Sequence, residues 1–243
     1  MPSETLIADI PSQFFSNKFP GISEKYGEAV QEEKNKDGKP VVRDIGEDFF
    51  AACLGAEGMP ETPTVYMPAE DRFYTYIPNQ GIYGETREAE LSAKLSQLLL
   101  ECARACKEGT DTKKLEFNLR DSASLVGIIK RAKGLLAVPV DYFADESCKF
   151  ITCNNGVLRI EDKKLLPFSP KFRRRNKLSV NFDCSAKCPL FLEQLMRPAL
   201  SEEDLSLLQT WCGLALLGIN YAQKLIILSG TAGGGKGTFI RVL

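Results

Sequence analysis

The chain has 243 residues, 44% of them hydrophobic, enough for a sizeable core in one large or two small domains. Its 31 basic and 32 acidic side chains leave a net charge of -1, so no whole-chain electrostatic footprint for nucleic acid exists; DNA contact would need a local patch or an assembled ring. No apolar run approaches the ~18 residues of a membrane span, and Met1 to Pro20 mixes charged and polar residues, unlike a signal peptide; a soluble, cytoplasmic protein is expected.

Residues 1–45 are polar and charged, and Gln31 to Lys39 (QEEKNKDGK) reads as a solvated loop or flexible lead-in. Ile45–Leu54 is a short helix candidate, in which Asp44, Glu47 and Asp48 suit the first turn beside the helix dipole. Thr64–Met67 and Arg72–Ile77 are β-rich, with a turn at Pro78-Asn79-Gln80-Gly81. From Glu85 to Lys107 the pattern becomes helical, with Leu91, Leu95, Leu98, Leu99 and Cys102 on one face. Ser122–Val138 is a second helix, striped by Leu125, Ile128, Ile129, Ala132 and Leu136 and stopped by Pro139. Phe150 to Phe168 reads as a β-hairpin turning at Asn154-Asn155-Gly156, since Asn-Gly favours a type I′ turn. After Pro189 a helix covers Leu190–Met196. Another begins at Ser201-Glu202-Glu203-Asp204, a capping box with Asp in place of Glu, and carries Trp211 on its apolar stripe as a core residue.

The eight cysteines fall as Cys102/Cys106, Cys148/Cys153 and Cys184/Cys188, with Cys53 and Cys212 alone; there is no histidine and no C-x-x-C pair. A zinc site would have to be assembled from scattered thiolates, and reduced, part-buried cysteines are the simpler reading. No metal ligand is assigned.

The segment that carries chemistry lies near the end. Lys224–Ser229 (KLIILS) is a short apolar run predicted as a buried parallel strand. It leads into Gly230-Thr231-Ala232-Gly233-Gly234-Gly235-Lys236-Gly237-Thr238, which fits G-x-x-x-x-G-K. Glycines let backbone N–H groups converge on phosphate oxygens, a helix start aims its dipole there, and Lys236 adds a full positive charge. The bland alternative is a glycine loop between two elements. Strict forms of the motif place Ser or Thr after the lysine to bind Mg²⁺; here that place is Gly237, and the hydroxyl comes one later as Thr238. Thr238 is therefore assigned to phosphate contact, and Mg²⁺ is expected to arrive with ATP. Seven residues follow Lys236, too few for an acidic Walker B strand or an arginine finger, so no catalytic residue is assigned and a truncated gene product or fragment is expected.

Three stretches in this order resemble the primase-helicases of phages and plasmids, the group related to the poxvirus D5 protein. They are Phe73-Tyr74-Thr75-Tyr76 with Gly81-Ile82-Tyr83; Asn155-Gly156-Val157-Leu158 with Pro167-Phe168-Ser169-Pro170; and Ala186-Lys187-Cys188-Pro189-Leu190-Phe191. Leu208-Gln209-Thr210-Trp211-Cys212-Gly213 and the run into Gly230 add to the likeness, which covers roughly residues 45–243. The resemblance implies a D5 N-terminal-type domain leading into a superfamily 3 helicase core of AAA+ type that assembles as a ring on DNA. The family's P-loops include GKG followed by threonine, so Gly237 fits the pattern. By position only Gly230 to Thr238 receives a role, phosphate binding. The residues before 45 are too few for a primase active site.

The expected fold class is therefore α/β: a polar segment 1–45, a mixed α+β D5 N-terminal-like domain 46–200, and a linker helix with the start of a P-loop NTPase core over 201–243. The first functional reading is the N-terminal part of an ATP-dependent replicative DNA helicase. The alternative is a non-catalytic oligomerisation or DNA-tethering module with a vestigial P-loop. A small kinase would place this loop near the start of the chain. Among other candidates, Lys171 to Lys177 holds five basic residues in seven and is read as a solvated face rather than a phosphate-contacting patch. The aromatics Phe73, Tyr74, Tyr76 and Tyr83 are read as a hairpin packed on the Leu91–Leu99 helix rather than as base-stacking platforms.

Overall fold

Residues 15, 18–106, 111–113, 122–144, 149–217 and 223–242 are described by the structure, a computed structural model. The chain is mixed α and β and divides into two units, residues 1–142 with 169–175, and residues 143–168 with 176–243.

In the first unit, helix α1 (Pro20–Tyr26) precedes a hairpin of β1 (Val30–Lys34) and β2 (Pro40–Ile45). Gln31–Lys34, expected in a loop, are thus strand. Their charges deceive because one face alone is buried: Val30, Val42 and Ile45 enter the core, while Glu33 and Arg43 pair on the exposed face. The turn is closed by the Asn35 side chain, which accepts from the N–H groups of Asp37 and Lys39 at 2.9 Å each, and by Gly38 at φ 76°.

Helix α2 (Glu47–Cys53) is too short to persist alone, yet Phe49 and Phe50 are fully buried. At about 1.5–3 kcal/mol for each such side chain, tertiary packing holds it. Helices α3 (Glu88–Ala105) and α4 (Ser122–Leu135) bury the predicted stripes, Leu91, Leu95, Leu98, Leu99 and Cys102 from one and Ile128, Ile129 and Ala132 from the other, against α2.

Strands β3 (Thr64–Met67), β4 (Arg72–Ile77) and β5 (Ile82–Thr86) form an antiparallel meander. Of the aromatics expected to pack on the Leu91–Leu99 helix, Phe73 alone joins that core. Tyr74 pairs with Glu70 and Arg175, and Tyr76 and Tyr83 pack on each other at 5.4 Å between ring centroids, because alternation along β4 sends Tyr74 and Tyr76 to the opposite face. Thr75, on the face of Phe73 two residues on, accepts from Thr86 at 2.9 Å and shares a 2.9 Å hydrogen bond with Thr64, so a chain of buried hydroxyls crosses all three strands. The outer strands are not left open. Tyr66 exchanges two main-chain bonds with the stretch after α4, donating to Leu136 at 2.8 Å and accepting from Val138 at 2.9 Å; on the other side the Tyr83 N–H donates to the Arg174 carbonyl at 2.7 Å.

That Arg174 contact belongs to the basic run, which enters through a 3₁₀ turn (Pro170–Phe172). The Arg175 guanidinium donates to both carboxylate oxygens of Glu70 at 2.8 and 3.0 Å and to the Tyr74 hydroxyl at 3.3 Å, while Arg173 lies 4.6 Å above the Tyr142 ring. Lys171, Arg173 and Arg175 are exposed, as a solvated face requires, but Arg173 and Arg175 also have partners that lie outside any local sequence window.

In the second unit, β6 (Phe150–Cys153), β7 (Gly156–Arg159) and β8 (Lys164–Leu166) form the expected hairpin extended by a third strand. Its turn differs from expectation. Cys153 pairs with Gly156, so Asn154 and Asn155 make the loop, neither with positive φ. Gly156 is required by close approach instead, since a Cβ there would meet the Leu166 carbonyl oxygen at 2.6 Å. The Asn155 side chain accepts from the Phe182 N–H and donates to its carbonyl, both at 2.9 Å. No helix among the described residues is long and apolar enough to cross a membrane.

Candidate functional site

Four pieces of the second unit assemble around the glycine-rich loop. Leu190–Met196, predicted helical, is wound as a π-helix. Helix α5 (Glu202–Leu217) starts at the predicted cap: the Asp204 N–H donates to the Ser201 hydroxyl oxygen at 3.1 Å, and that hydroxyl donates to the Asp204 carboxylate at 2.7 Å. Helix α6 (Lys236–Val242) follows the loop. Met196, Leu208 and Phe239, one from each helix, form a small core, with Phe191 stacked on Phe239 at 6.4 Å between ring centroids. Trp211, expected in a core, is only half-buried.

The fourth piece departs from expectation. Lys224–Ser229 joins no sheet, and no described strand pairs with it. Ile226 and Leu228 turn into the small core, while Leu225 and Ile227 are 77% and 80% exposed. The alternation of an extended chain is present, with one face covered. A wholly apolar run reads as a strand buried on both sides, but burial needs neighbours that local sequence does not supply.

Within the loop, Gly230, Gly233 and Gly235 have φ of 155°, 79° and 82°, conformations costly to side-chain-bearing residues. A turn is closed by Gly234 N–H to the Thr231 carbonyl at 3.3 Å, and α6 opens with Phe239 N–H to the Gly235 carbonyl at 3.0 Å. Ala232, Gly233, Gly234, Gly237 and Thr238 are exposed. The Lys236 ammonium folds back over the loop and donates to the carbonyl oxygens of Gly230 at 2.9 Å and Thr231 at 2.8 Å. A cavity of about 630 Å³ opens beside it, walled by Met196, Leu208, Ile226 and Leu228 and bordered by Thr231 and Lys236. That volume lies within the range of small-molecule sites, roughly 300–1,000 Å³.

Sequence reasoning missed Leu195. Its Cδ1 lies 2.6 Å from where a Cβ on Gly235 would be, so the π-helix packs against the loop's tightest bend. The only hint in the sequence is the apolar face of 190–196, which does not name its partner.

For Mg²⁺ the loop offers two hydroxyls, on Thr231 and Thr238, and the described residues contain no cluster of three His, Cys, Asp or Glu side chains arranged to hold a metal. The acidic residues near α2 have a structural explanation: Arg131 Nε lies 3.5 Å from Glu47 and 3.8 Å from Asp48, and Asp44 accepts from the Ile45 N–H.

The sequence model of the D5 N terminal like family matches residues 70–197, just over half of the chain. The match runs from the turn before β4 to the residue after the π-helix and holds the first three stretches of the resemblance, from Phe73 to Phe191. The glycine-rich loop lies beyond it. No curated protein matches the chain at a significant level.

Proposed function

Since the chain belongs to the D5 N-terminal-like family, we propose that it is the N-terminal part of a phage- or plasmid-type replicative DNA helicase of superfamily 3, binding ATP through Gly230–Thr238. The observation that carries the ATP reading is the pairing of three positive-φ glycines with a lysine ammonium held across the same bend, beside a cavity of about 630 Å³.

The chemistry follows from donors and charge. Backbone N–H groups of Gly233, Gly235 and Lys236 donate to phosphate oxygens, while that of Gly234 closes the turn onto Thr231. Lys236 exchanges its two carbonyl acceptors, which are neutral, for phosphate oxygens that carry charge, and charge-assisted hydrogen bonds are roughly twice as strong. Thr238 adds a hydroxyl to the phosphates, and Mg²⁺ is brought by the nucleotide. In the intact protein, ATP turnover in a homo-oligomeric ring drives separation of DNA strands. No residue of this chain is assigned the catalytic acid, sensor or arginine role.

A titration of MgATP against wild type and Lys236→Ala tests the site. Loss of the ammonium is expected to weaken binding at least about tenfold, a change of about 1.4 kcal/mol. Equal affinities would remove the loop from the nucleotide site. The unpaired Lys224–Ser229 segment favours a second reading, an oligomerisation or DNA-tethering module with a vestigial loop. That reading requires wild type to bind DNA or self-associate with no measurable ATP affinity.

A further inference from the structure

The turn of the β6–β7 hairpin places a glycine directly after an exposed asparagine, apart from the glycine-rich loop. Asn154 and Asn155 form the exposed tip, while Gly156 is buried and pairs with Cys153. A main-chain nitrogen can attack the side-chain carbonyl carbon of the asparagine before it, closing a succinimide ring and expelling ammonia. Glycine obstructs that attack least, because it has no Cβ beside its nitrogen. Asparagine is thermolabile for this kind of reason.

The fold holds the reacting carbon away from its nucleophile. Asn155 Oδ1 accepts from the Phe182 N–H and Nδ2 donates to the Phe182 carbonyl, each at 2.9 Å, so both ends of the amide are tied to one residue. Phe182 is positioned in turn by main-chain bonds that lay residues 178–180 along the hairpin. Leu178 N–H donates to the Thr152 carbonyl at 2.8 Å, and Asn154 N–H donates to the Val180 carbonyl at 2.9 Å. Turning Asn155 Cγ onto the Gly156 nitrogen breaks both amide bonds to Phe182. Gly156 has little room to come to meet it: a Cβ there would lie 2.6 Å from the Leu166 carbonyl oxygen, so β8 closes in on that backbone.

We propose that Asn155 is a deamidation site gated by Phe182, in which ring closure waits until residues 178–182 leave the hairpin. The Gly156 nitrogen bonds to Asn155 Cγ, the Cγ–Nδ2 bond breaks, and the Gly156 proton leaves with Nδ2 as ammonia. Water then adds to one of the two ring carbonyls and opens the succinimide to aspartate or, with the main chain rerouted through the side chain, to isoaspartate. No electrons are transferred. The change locks the gate open. A carboxylate has no proton to donate to the Phe182 carbonyl, so the clamp cannot close again on both bonds. Isoaspartate also lengthens the main chain between Cys153 and Gly156, which the hairpin pairs.

The test incubates the full chain at mildly alkaline pH, native and in full denaturant. Trypsin, cutting after Lys149 and Arg159, then releases residues 150–159, and fragmentation of that peptide separates Asn155 from Asn154. Native wild type is expected to deamidate at Asn155 at least about tenfold more slowly than the denatured chain, a difference of about 1.4 kcal/mol. Phe182→Pro, which removes the N–H that Asn155 accepts from, is expected to raise the native rate by a similar factor. A second measurement stands even where that variant fails to fold. Along a urea series below the unfolding transition, the wild-type Asn155 rate is expected to rise in step with hydrogen exchange at the Phe182 amide. The proposal is overturned if native Asn155 deamidates as fast as in full denaturant, or stays an amide in both. It also fails if Phe182→Pro folds and keeps the wild-type rate, or if the rate rises only when the whole chain unfolds.

Discussion

Leu195 of the π-helix and Gly235 of the glycine-rich bend are packed so closely that a Cβ on the glycine would lie 2.6 Å from the leucine's Cδ1. The bend is therefore held from one side by the last turn of the family-matched region and from the other by α6, whose buried residue is Phe239.

Gly235→Ala separates that contact from backbone strain. The leucine tip can shift, so the larger cost is a side chain at φ 82°, about 1–2 kcal/mol. Thermal melts are expected to fall by that amount and MgATP affinity to drop with them. Leu195→Ala in the same chain is expected to restore little, since it relieves the clash and not the φ. Gly237→Ala is the control: nothing lies within 4 Å of its Cβ position, and it sits in a helix. It should leave stability unchanged or raise it by up to about 1 kcal/mol. If the two alanines behave alike, the bend is not conformationally demanding.

The threonine chain predicts a non-additive mutation series. Thr75→Val removes the acceptor of Thr86 and the partner of Thr64 while both remain buried, at a cost of about 1–3 kcal/mol. Replacing Thr64, Thr75 and Thr86 together by valine leaves no hydroxyl of the chain without a partner and should cost less than the three single changes combined. Urea denaturation of the series decides it. Additive costs would mean that the hydroxyls act independently.

Two tyrosine–carboxylate pairs flank the β3–β4 turn and set an acid limit. The Tyr74 hydroxyl and then Arg175 hold Glu70 below its ordinary value, and the Tyr66 hydroxyl and then Lys133 do the same for Asp71. A carboxylate with a lowered folded pKa adds stability above its unfolded pKa, about 4 for both groups, and loses it as pH falls through the lower folded value. Glu70→Gln and Asp71→Asn should therefore flatten the loss of stability below about pH 4, measured by denaturant midpoints against pH. An unchanged acid slope in the double variant would assign the limit to other carboxylates.

Arg175 is held by Glu70 and lies over the Tyr74 ring at 5.3 Å from its centre, with its side chain 37% exposed. Arg175→Ala should cost about 1 kcal/mol of stability, more from lost stacking than from a solvent-screened ion pair. DNA affinity, measured across a salt series, should change little. A fall in the salt dependence with stability intact would return this arginine to a phosphate-contacting role.

Periodicity made the helical stripes of α3 and α4 legible, because side chains three and four residues apart face one direction whatever surrounds them. The same local logic placed β3, β4 and the Ser201 cap, where every determining atom lies within a few residues. The positive-φ glycines of the loop were readable for that reason too, since glycine is selected by a backbone conformation rather than by a distant neighbour. Tertiary structure alone decided the rest. Arg175 meets Glu70 across 105 positions, Gly156 is constrained by the Leu166 carbonyl of the next strand, and Gln31–Lys34 become a strand because β2 offers a partner. Lys224–Ser229 is the converse: its apolar run describes a strand, but hydrogen-bonded pairing and burial on both faces belong to neighbouring segments, and local composition cannot supply them.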